Sequence, residues 1–395
     1  MRFPTVSPQA WRRLRYAGTG GLLACGLTTA AAAEPAISAA GSDTTLSERA
    51  RARAAEWAEA LGVAERPSTQ LVSILGNRQQ GQSTPALQQF TDSAFPARRK
   101  SLGIGQEVHR RDWKRKKNWN ALEWRRASTI RKGNALFCTP IEPNDIAQGD
   151  LGNCYFMAAL GALAARGQGD AIRKLFPPAG QHPERGLYTC RLFASGVEHE
   201  IEIDDLLPCT VQHAPPGTFF PGYGTTRVET AFANPVRGEL WVPLLEKAWA
   251  KLHGSYGRTS GGSPGKSLED LTGAPNYKIL TQTLMNKASS SSSGQQQLWA
   301  ILREAEKQRY PCCASAITEA ELDKTTRIVR GAAAAAKGLT LQHAYTVMGT
   351  YTVPQKYGGQ QLVRLRNPHG RHSWQGDWVR PLLRPNHCII YYVQC

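Results

Sequence analysis

The sequence NDIAQGDLGNCYFMAALGALAAR, residues 144–166, is the most informative part of this chain. From Tyr155 to Ala165 it is almost wholly apolar and rich in good helix formers, which predicts a buried helix. Gly149 and Gly152 lie just before this run, where a tight turn needs a permissive backbone. The pattern therefore predicts a turn between glycines that leads into a helix with Cys154 in its first turn.

Cys154 stands where the start of a helix favours a thiolate over a thiol. Backbone amides without helical partners and the positive end of the helix dipole lie at that position. Gln148, across the turn, can donate an amide hydrogen to a developing oxyanion, with the Cys154 backbone amide as the second donor. A buried structural cysteine is the alternative, because free cysteine is among the most buried residue types.

A thiol nucleophile also needs a base and a group that orients the base. His343 precedes AYTV, whose alternation and β-branching indicate a strand. Asn367 ends a second predicted strand, just before Pro368 and Gly370, where its side chain can accept the N–H of a neighbouring imidazole. The chain has nine histidines, and any one of them is more often structural than catalytic, so spacing alone does not single out His343.

Several segments of the chain, in their order along the sequence, resemble segments of a single protein family. They are FTDSAFPARRKSLG (90–103), EWRR (123–126), QGDLGNCY (148–155), ELWVPLLEKAWAKLHGSYGRTSGG (239–262), SLEDLTG (267–273), HAYTV (343–347), RLRNPHG (364–370) and WQGDW (374–378). Over about residues 90–378 the chain resembles the calpain-type cysteine peptidases. This resemblance implies an α+β, papain-like fold of two lobes, a helical lobe with the nucleophile and a β-rich lobe with the histidine and the asparagine.

The same resemblance assigns the chemistry. It implies that Cys154 is the nucleophile, His343 the general base and acid, Asn367 the residue that orients His343, and Gln148 the oxyanion donor. The implied activity is that of an endopeptidase, which hydrolyses protein substrates through a thioester acyl-enzyme. Trp374 falls where the family has a tryptophan that shields the histidine–asparagine bond from water, and an ordinary core aromatic is the alternative for this residue.

The two calcium sites that the resemblance implies match this chain poorly. Asp145 falls on a ligand position of the first site, but its partner position falls on Val197, with Glu198 one residue later. The acidic positions of the second site fall on Ser373 and Arg380. Calcium takes six to eight oxygen ligands, and carboxylates carry much of its affinity. We therefore expect an enzyme that requires no cofactor, with Asp145 as the one candidate calcium ligand.

His369 is a second departure from the family pattern. It stands where the family usually has a tryptophan that acts as a wedge in the inactive conformation. Together with the lost calcium acids and the short segment after Trp378, it leaves an alternative function open. The chain would then be a catalytically weak homologue that acts as a binding or regulatory protein. The intact catalytic residues favour the active peptidase.

Composition agrees with an enzyme of the cytoplasm. The chain has 395 residues, 41% of them hydrophobic, which is enough for a sizeable core. Its nine cysteines are an odd number without CxxC pairs, which argues against a disulfide framework and for a reducing compartment. The net charge of +17 is concentrated over residues 98–132, where tryptophans alternate with basic residues. Because this stretch belongs to the family-like segments, we expect protein or peptide substrates rather than nucleic acid as partners, and no transmembrane span.

Three parts of the chain are expected. Residues 1–88 form an N-terminal extension with a charged helix over 46–61 and a polar linker over 76–85. The acid-free start, which ends in Ala31-Ala32-Ala33, is a signal peptide, an organellar transit peptide or an alanine-rich tail. Residues 89–262 are the lobe with Cys154, residues 263–395 are the lobe with His343 and Asn367, and residues 260–266 are the hinge. Residues 288–294 and 331–338 are predicted surface loops.

Overall fold

The computed structural model describes residues 26–30, 88–103, 119–130, 133–138, 140–165, 169–221, 224–281, 284, 291–315, 340, 342–370 and 390–394. The predicted helix over 46–61, the polar linker, the loop over 331–338, Trp374 and the positions of the second calcium site lie outside these residues. Within the described ranges, none of the helices combines the length and the apolar character that crossing a membrane requires.

Helices and antiparallel strands alternate irregularly along the described chain. The helices are α1 Arg99–Leu102, α2 Ala127–Ile130, α3 Cys154–Ala164, α4 Gly169–Arg173, α5 Trp241–Leu252, α6 Pro264–Thr272 and α7 Ser291–Lys307. The strands are β1 Gly26–Ala30, β2 Glu123–Arg126, β3 Ile146–Ala147, β4 Gln181–His182, β5 Leu187–Ala194, β6 Val197–Asp204, β7 Leu206–His213, β8 Thr226–Thr230, β9 Asn234–Pro235, β10 Asn276–Leu280, β11 Cys312–Ser315, β12 Ala344–Thr352, β13 Gln361–Arg366 and β14 Ile390–Gln394.

The helix α3 lies at the centre of the larger hydrophobic core. All of its residues except Cys154 are buried, as the uninterrupted apolar run predicts for a helix that is hydrophobic all round. Phe156 stacks on Trp249 of α5 with ring centres 4.6 Å apart, and the Tyr155 hydroxyl donates to the Thr259 carbonyl at 2.9 Å. The helix is therefore fixed by packing on every side, and the position of Cys154 at its start is fixed with it.

The largest sheet has six strands, in the order β10-β1-β11-β12-β13-β14, and every neighbouring pair is antiparallel. The first four residues of its strand β12, Ala344–Val347, are buried on both faces. Ala344 belongs to the core around α3, and the Thr346 hydroxyl donates to the Ala158 carbonyl at 2.9 Å. Tyr345 and Val347 pack on the opposite face with apolar residues of α7. This alternation follows from the two-residue period of a strand, and it sets β12 directly against the nucleophile helix.

Buried ion pairs tie the segment around residue 92 to α5. Lys247 donates to the Asp204 carboxylate with both side chains fully buried, and to the Leu206 carbonyl at 2.7 Å. Burial lowers the pKa of Lys247, and the Asp204 carboxylate opposes that shift. One turn later, Lys251 pairs with Asp92 at 2.7 Å. Loss of one partner would leave an uncompensated buried charge, so these pairs fix the helix in place.

Parts of the basic, tryptophan-containing stretch have structural contacts. Arg126 pairs with Asp205 at 2.6 Å and donates to the Phe90 carbonyl at 2.6 Å. The Lys247 ammonium lies 5.5 Å from the centre of the Trp124 ring. These side chains bind the rest of the protein, as expected for a segment that belongs to the folded core.

Three features of the structure were not expected from the sequence. Gly26–Ala30, within the extension, forms a strand between β10 and β11, which nothing in its composition indicated. The predicted hinge is partly helical, because α6 begins at Pro264, a residue that is preorganised for the first turn of a helix. Residues 291–294 of the predicted serine-rich loop form the start of α7.

Candidate functional site

The turn before α3 is built on close backbone contacts. A Cβ at Gly149 would lie 2.6 Å from the carbonyl carbon of Phe232, so only glycine fits at this position. The Asp150 amide donates to the Ala231 carbonyl at 3.0 Å, which holds the turn against the same segment. Cys154 follows as the first residue of the helix, and it is half-buried. The sequence prediction for this turn and helix is confirmed.

A buried carboxylate supports the residue before the cysteine. The Asn153 side chain donates to Glu246 at 2.7 Å, and the Ala233 amide donates to the other oxygen of Glu246 at 2.9 Å. Burial raises the pKa of Glu246 to about 7, and these two hydrogen bonds oppose that shift. Sequence reasoning missed both Asn153 and Glu246. The signal that was available is an acid in the apolar run of α5, where a buried charge needs a partner.

His343 and Asn367 form the pair that the sequence predicted. The Nε2 atom of His343 and the Oδ1 atom of Asn367 lie 2.8 Å apart, and both side chains are buried. The Tyr345 ring meets the imidazole edge-on with centres 4.9 Å apart. The ring of His369 stacks on it with centres 5.0 Å apart and an interplanar angle of 9°. The residue that replaces the family tryptophan therefore covers one face of His343.

Gln148 lies beside the same pair. Its backbone amide donates to the Pro368 carbonyl at 3.0 Å, one residue after Asn367. Two residues earlier, the Ile146 carbonyl accepts a hydrogen bond from Arg366 at 2.6 Å. The segments 146–148 and 366–368 thus run side by side. The Gln148 side-chain amide donates to the Leu151 carbonyl at 2.7 Å, and an amide nitrogen has a second hydrogen to donate.

The contact between α3 and β12 joins the helix that begins at Cys154 to the strand that follows His343. Ala158, which accepts from Thr346, lies one helical turn after Cys154. Thr346 itself lies three residues after His343. The structure therefore brings together His343, Asn367 and Gln148, and the helix that begins at Cys154 packs on the strand that follows His343.

The other described cysteines contrast with Cys154. None of the six described cysteines is in a disulfide, and three of them, Cys190, Cys209 and Cys313, lie deep in the core. Burial raises the pKa of Cys209 to about 12, and it also raises the pKa of the other two thiols well above the ordinary value. Such thiols stay protonated and inert, whereas reactive cysteines are partly exposed and lie at helix starts. Cys154 meets both conditions.

The residues at the first calcium position do not fit that ion. Arg237 donates to one oxygen of the fully buried Asp145 carboxylate, and the Glu142 amide donates to the other at 2.7 Å. Burial raises the pKa of Asp145 to about 6, and the Glu142 amide and the guanidinium oppose that shift. Glu198, near the partner position, pairs with Arg191 at 2.9 Å. Among the described residues, no group of three or more acids, histidines and cysteines is arranged to hold a metal.

Comparison with known proteins identifies the family. The sequence pattern of the calpain family cysteine proteases matches residues 90–382. The chain is 30% identical to human calpain-12 over 292 residues, which cover 73% of this chain and 35% of that protein. It is 29% identical to mouse calpain-10 over 301 residues, which cover 75% of this chain and 40% of that protein. It is also 29% identical to the calpain-type cysteine protease DEK1 of Arabidopsis thaliana over 297 residues, which cover 73% of this chain and 12% of that protein.

The chain thus spans well under half the length of these relatives. The catalytic domain of the family is papain-like, and the helices and antiparallel sheets described above agree with the predicted α+β class. The chain belongs to the calpain family of cysteine proteases.

Proposed function

We propose that this chain is an endopeptidase that cleaves protein substrates with Cys154 as its nucleophile. The observation that carries the proposal is the buried hydrogen bond between His343 and Asn367, which lies beside Gln148. A histidine held by an asparagine is the arrangement that a cysteine nucleophile needs in order to lose its proton. Substrate would lie extended between the segments that carry Cys154 and His343.

The chemistry proceeds in two halves. Asn367 can only accept at Oδ1, so Nε2 of His343 donates to it and Nδ1 exchanges the proton with the Cys154 thiol. The thiolate attacks the peptide carbonyl, and a carbon–sulfur bond forms as the carbonyl electrons move to oxygen. Gln148 and the Cys154 backbone amide stabilise that oxyanion. The imidazolium protonates the leaving amine as the carbon–nitrogen bond breaks.

Water then releases the acyl group. His343 takes a proton from the water as it attacks the thioester, and the thiolate leaves as the carboxylic acid forms. No step requires a metal, in keeping with the engagement of Asp145 by Arg237. We therefore propose turnover without any cofactor. A reducing compartment such as the cytoplasm suits a thiol nucleophile and the free thiols of the core.

Labelling by an epoxide inhibitor of thiol proteases tests this function. Such a probe forms a covalent bond with a cysteine that has an active base beside it, and mass spectrometry locates the modified residue. We expect one adduct on Cys154 in the presence of a calcium chelator, and none in Cys154→Ala. Folded wild-type protein that stays unlabelled both with and without calcium would contradict the proposal, and it would favour the alternative of a non-catalytic binding protein.

A further inference from the structure

Arg237 stands in an unusual backbone conformation. Its φ of 54° lies in the left-handed region, where any residue with a Cβ is strained. It belongs to a short 3-10 turn, Val236–Gly238, and half of its side chain is exposed. Glycine would meet the backbone requirement without strain. The presence of an arginine at this position must therefore be explained by the contacts that its side chain makes.

The side chain of Arg237 is the counter-ion of a buried acidic group. Its guanidinium donates to Asp145, whose side chain has no exposed area. Glu142 and Glu239 lie close enough for their charges to raise the pKa of the arginine, after the hydrogen bond to Asp145, which has the largest effect. Glu239 is also buried, and it accepts bonds from the Cys138 amide and the Trp241 indole, each at 3.1 Å. The guanidinium is thus bonded to one carboxylate, and the charges of two others favour its charged form.

The residues after Asp145 lead directly into the candidate active site. Ile146 and Ala147 form β3, which pairs with β9 just before the turn that carries Arg237. The Ile146 carbonyl then receives the hydrogen bond from Arg366, and Gln148 bonds to Pro368. A displacement of Asp145 would therefore shift Gln148 relative to the loop that begins at Asn367.

We propose that Arg237 is a positioning residue, a cation supplied by the chain itself that holds the segment 145–148 against the loop 366–368. The inference rests on the proposed function, in which this segment carries the oxyanion donor. It also gives a physical reason for the mismatch with calcium. Both oxygens of the Asp145 carboxylate are already hydrogen-bonded and its side chain has no exposed area, so a divalent ion would have to displace the guanidinium, which balances the charge of the carboxylate in its place.

Arg237→Gly tests the inference, because glycine relieves the backbone strain and removes only the cation. Arg237→Lys keeps a charge, and Arg227→Ala removes an exposed arginine that pairs with Glu229 at 2.6 Å as a matched control. We expect Arg237→Gly to lose about ten-fold in kcat with little change in KM, as for a displaced catalytic group. We expect Arg237→Lys to lose less and Arg227→Ala to match the wild type.

Chemical rescue distinguishes the loss of the positive charge of Arg237 from a general loss of folded structure. The guanidinium side chain is half exposed, so the space it vacates is open to small cations. Millimolar guanidinium or calcium should restore kcat and the thermal midpoint of Arg237→Gly, whereas sodium at equal ionic strength should not. The inference is overturned if the glycine variant equals the wild type, if the lysine variant loses as much as the glycine variant, or if neither cation restores it.

The two proposals fail in different ways. If the wild type itself cleaves no substrate, the proposed function fails. The thermal midpoint of Arg237→Gly, measured with and without guanidinium, still reports on the role of Arg237 as a cation. If the wild type is active and the glycine variant folds normally with full kcat, the inference about Arg237 fails alone.

Discussion

Gly161→Ala should misalign the nucleophile and its base. Gly161 lies on the face of α3 that packs against β12, two turns after Cys154. A Cβ at this position would overlap the Thr346 hydroxyl and lie 3.3 Å from the Thr346 Cβ. Thr346 is fully buried and its hydroxyl is bonded to Ala158, so it has no open space into which it can turn. The helix and the strand must therefore move apart.

The structure sets the size of the effect. Relief of the overlap requires a shift of roughly 1 Å, and a displacement of that size at a catalytic pair costs about 100-fold in rate. The effect on stability is smaller, because overpacking costs about 1–3 kcal/mol while alanine gains about 1 kcal/mol over glycine in a helix. We therefore expect a folded protein whose kcat/KM falls far more than its stability does.

Peptide hydrolysis and thermal unfolding, measured on the same samples, check this prediction. Thr346→Ala in the Gly161→Ala background removes the overlapping hydroxyl, so the double variant should recover at least about ten-fold of the lost kcat/KM. If Gly161→Ala cleaves within about three-fold of the wild-type rate, the packing of α3 on β12 does not set the catalytic geometry. A folded double variant without any recovery would show that the overlap with the Thr346 hydroxyl is not the cause of the loss.

Three further changes test other parts of the site. Asn367→Ala should lower kcat by about 100-fold, because His343 loses the acceptor at 2.8 Å that fixes its tautomer; steady-state kinetics measure this. His369→Ala should lower kcat by several-fold by uncovering the imidazole, whereas His369→Phe should not, because it keeps a stacked ring. Burial raises the pKa of Glu246 from 4.5 to about 7. Between these two pH values the folded protein keeps a proton on Glu246 that the unfolded chain has released. The protonated Glu246 therefore contributes stability that is complete below pH 4.5 and is lost as the pH rises through about 7. Thermal unfolding measured between pH 4.5 and about 7 should therefore show a midpoint that falls in the wild type and falls less in Glu246→Gln.

Local patterns predicted the elements that carry the site. The apolar run after Cys154 specified α3, because a helix that is buried all round needs no polar face. The alternation after His343 specified β12, and Pro368 placed Asn367 at the end of β13. These features depend on neighbouring residues alone, so they could be read from the sequence.

Contacts between distant residues could not be predicted in this way. Glu246 supports Asn153 across 93 positions of the chain, and Arg237 reaches Asp145 across 92. No local period connects such partners, since tertiary packing alone brings them together. The strand Gly26–Ala30 is a similar case, because its place between β10 and β11 depends on the open edges of two other strands.

The pH dependence of Cys154 alkylation shows whether Cys154 and His343 act as nucleophile and base. An ordinary thiol reacts with iodoacetamide only as it ionises near pH 8.5, whereas a thiolate paired with an imidazolium reacts well below that value. We predict that Cys154 is alkylated at about pH 6 at least ten-fold faster in the wild type than in His343→Ala. Equal rates in the two proteins, both following the titration of an ordinary thiol, would contradict the assignment of Cys154 and His343 as nucleophile and base.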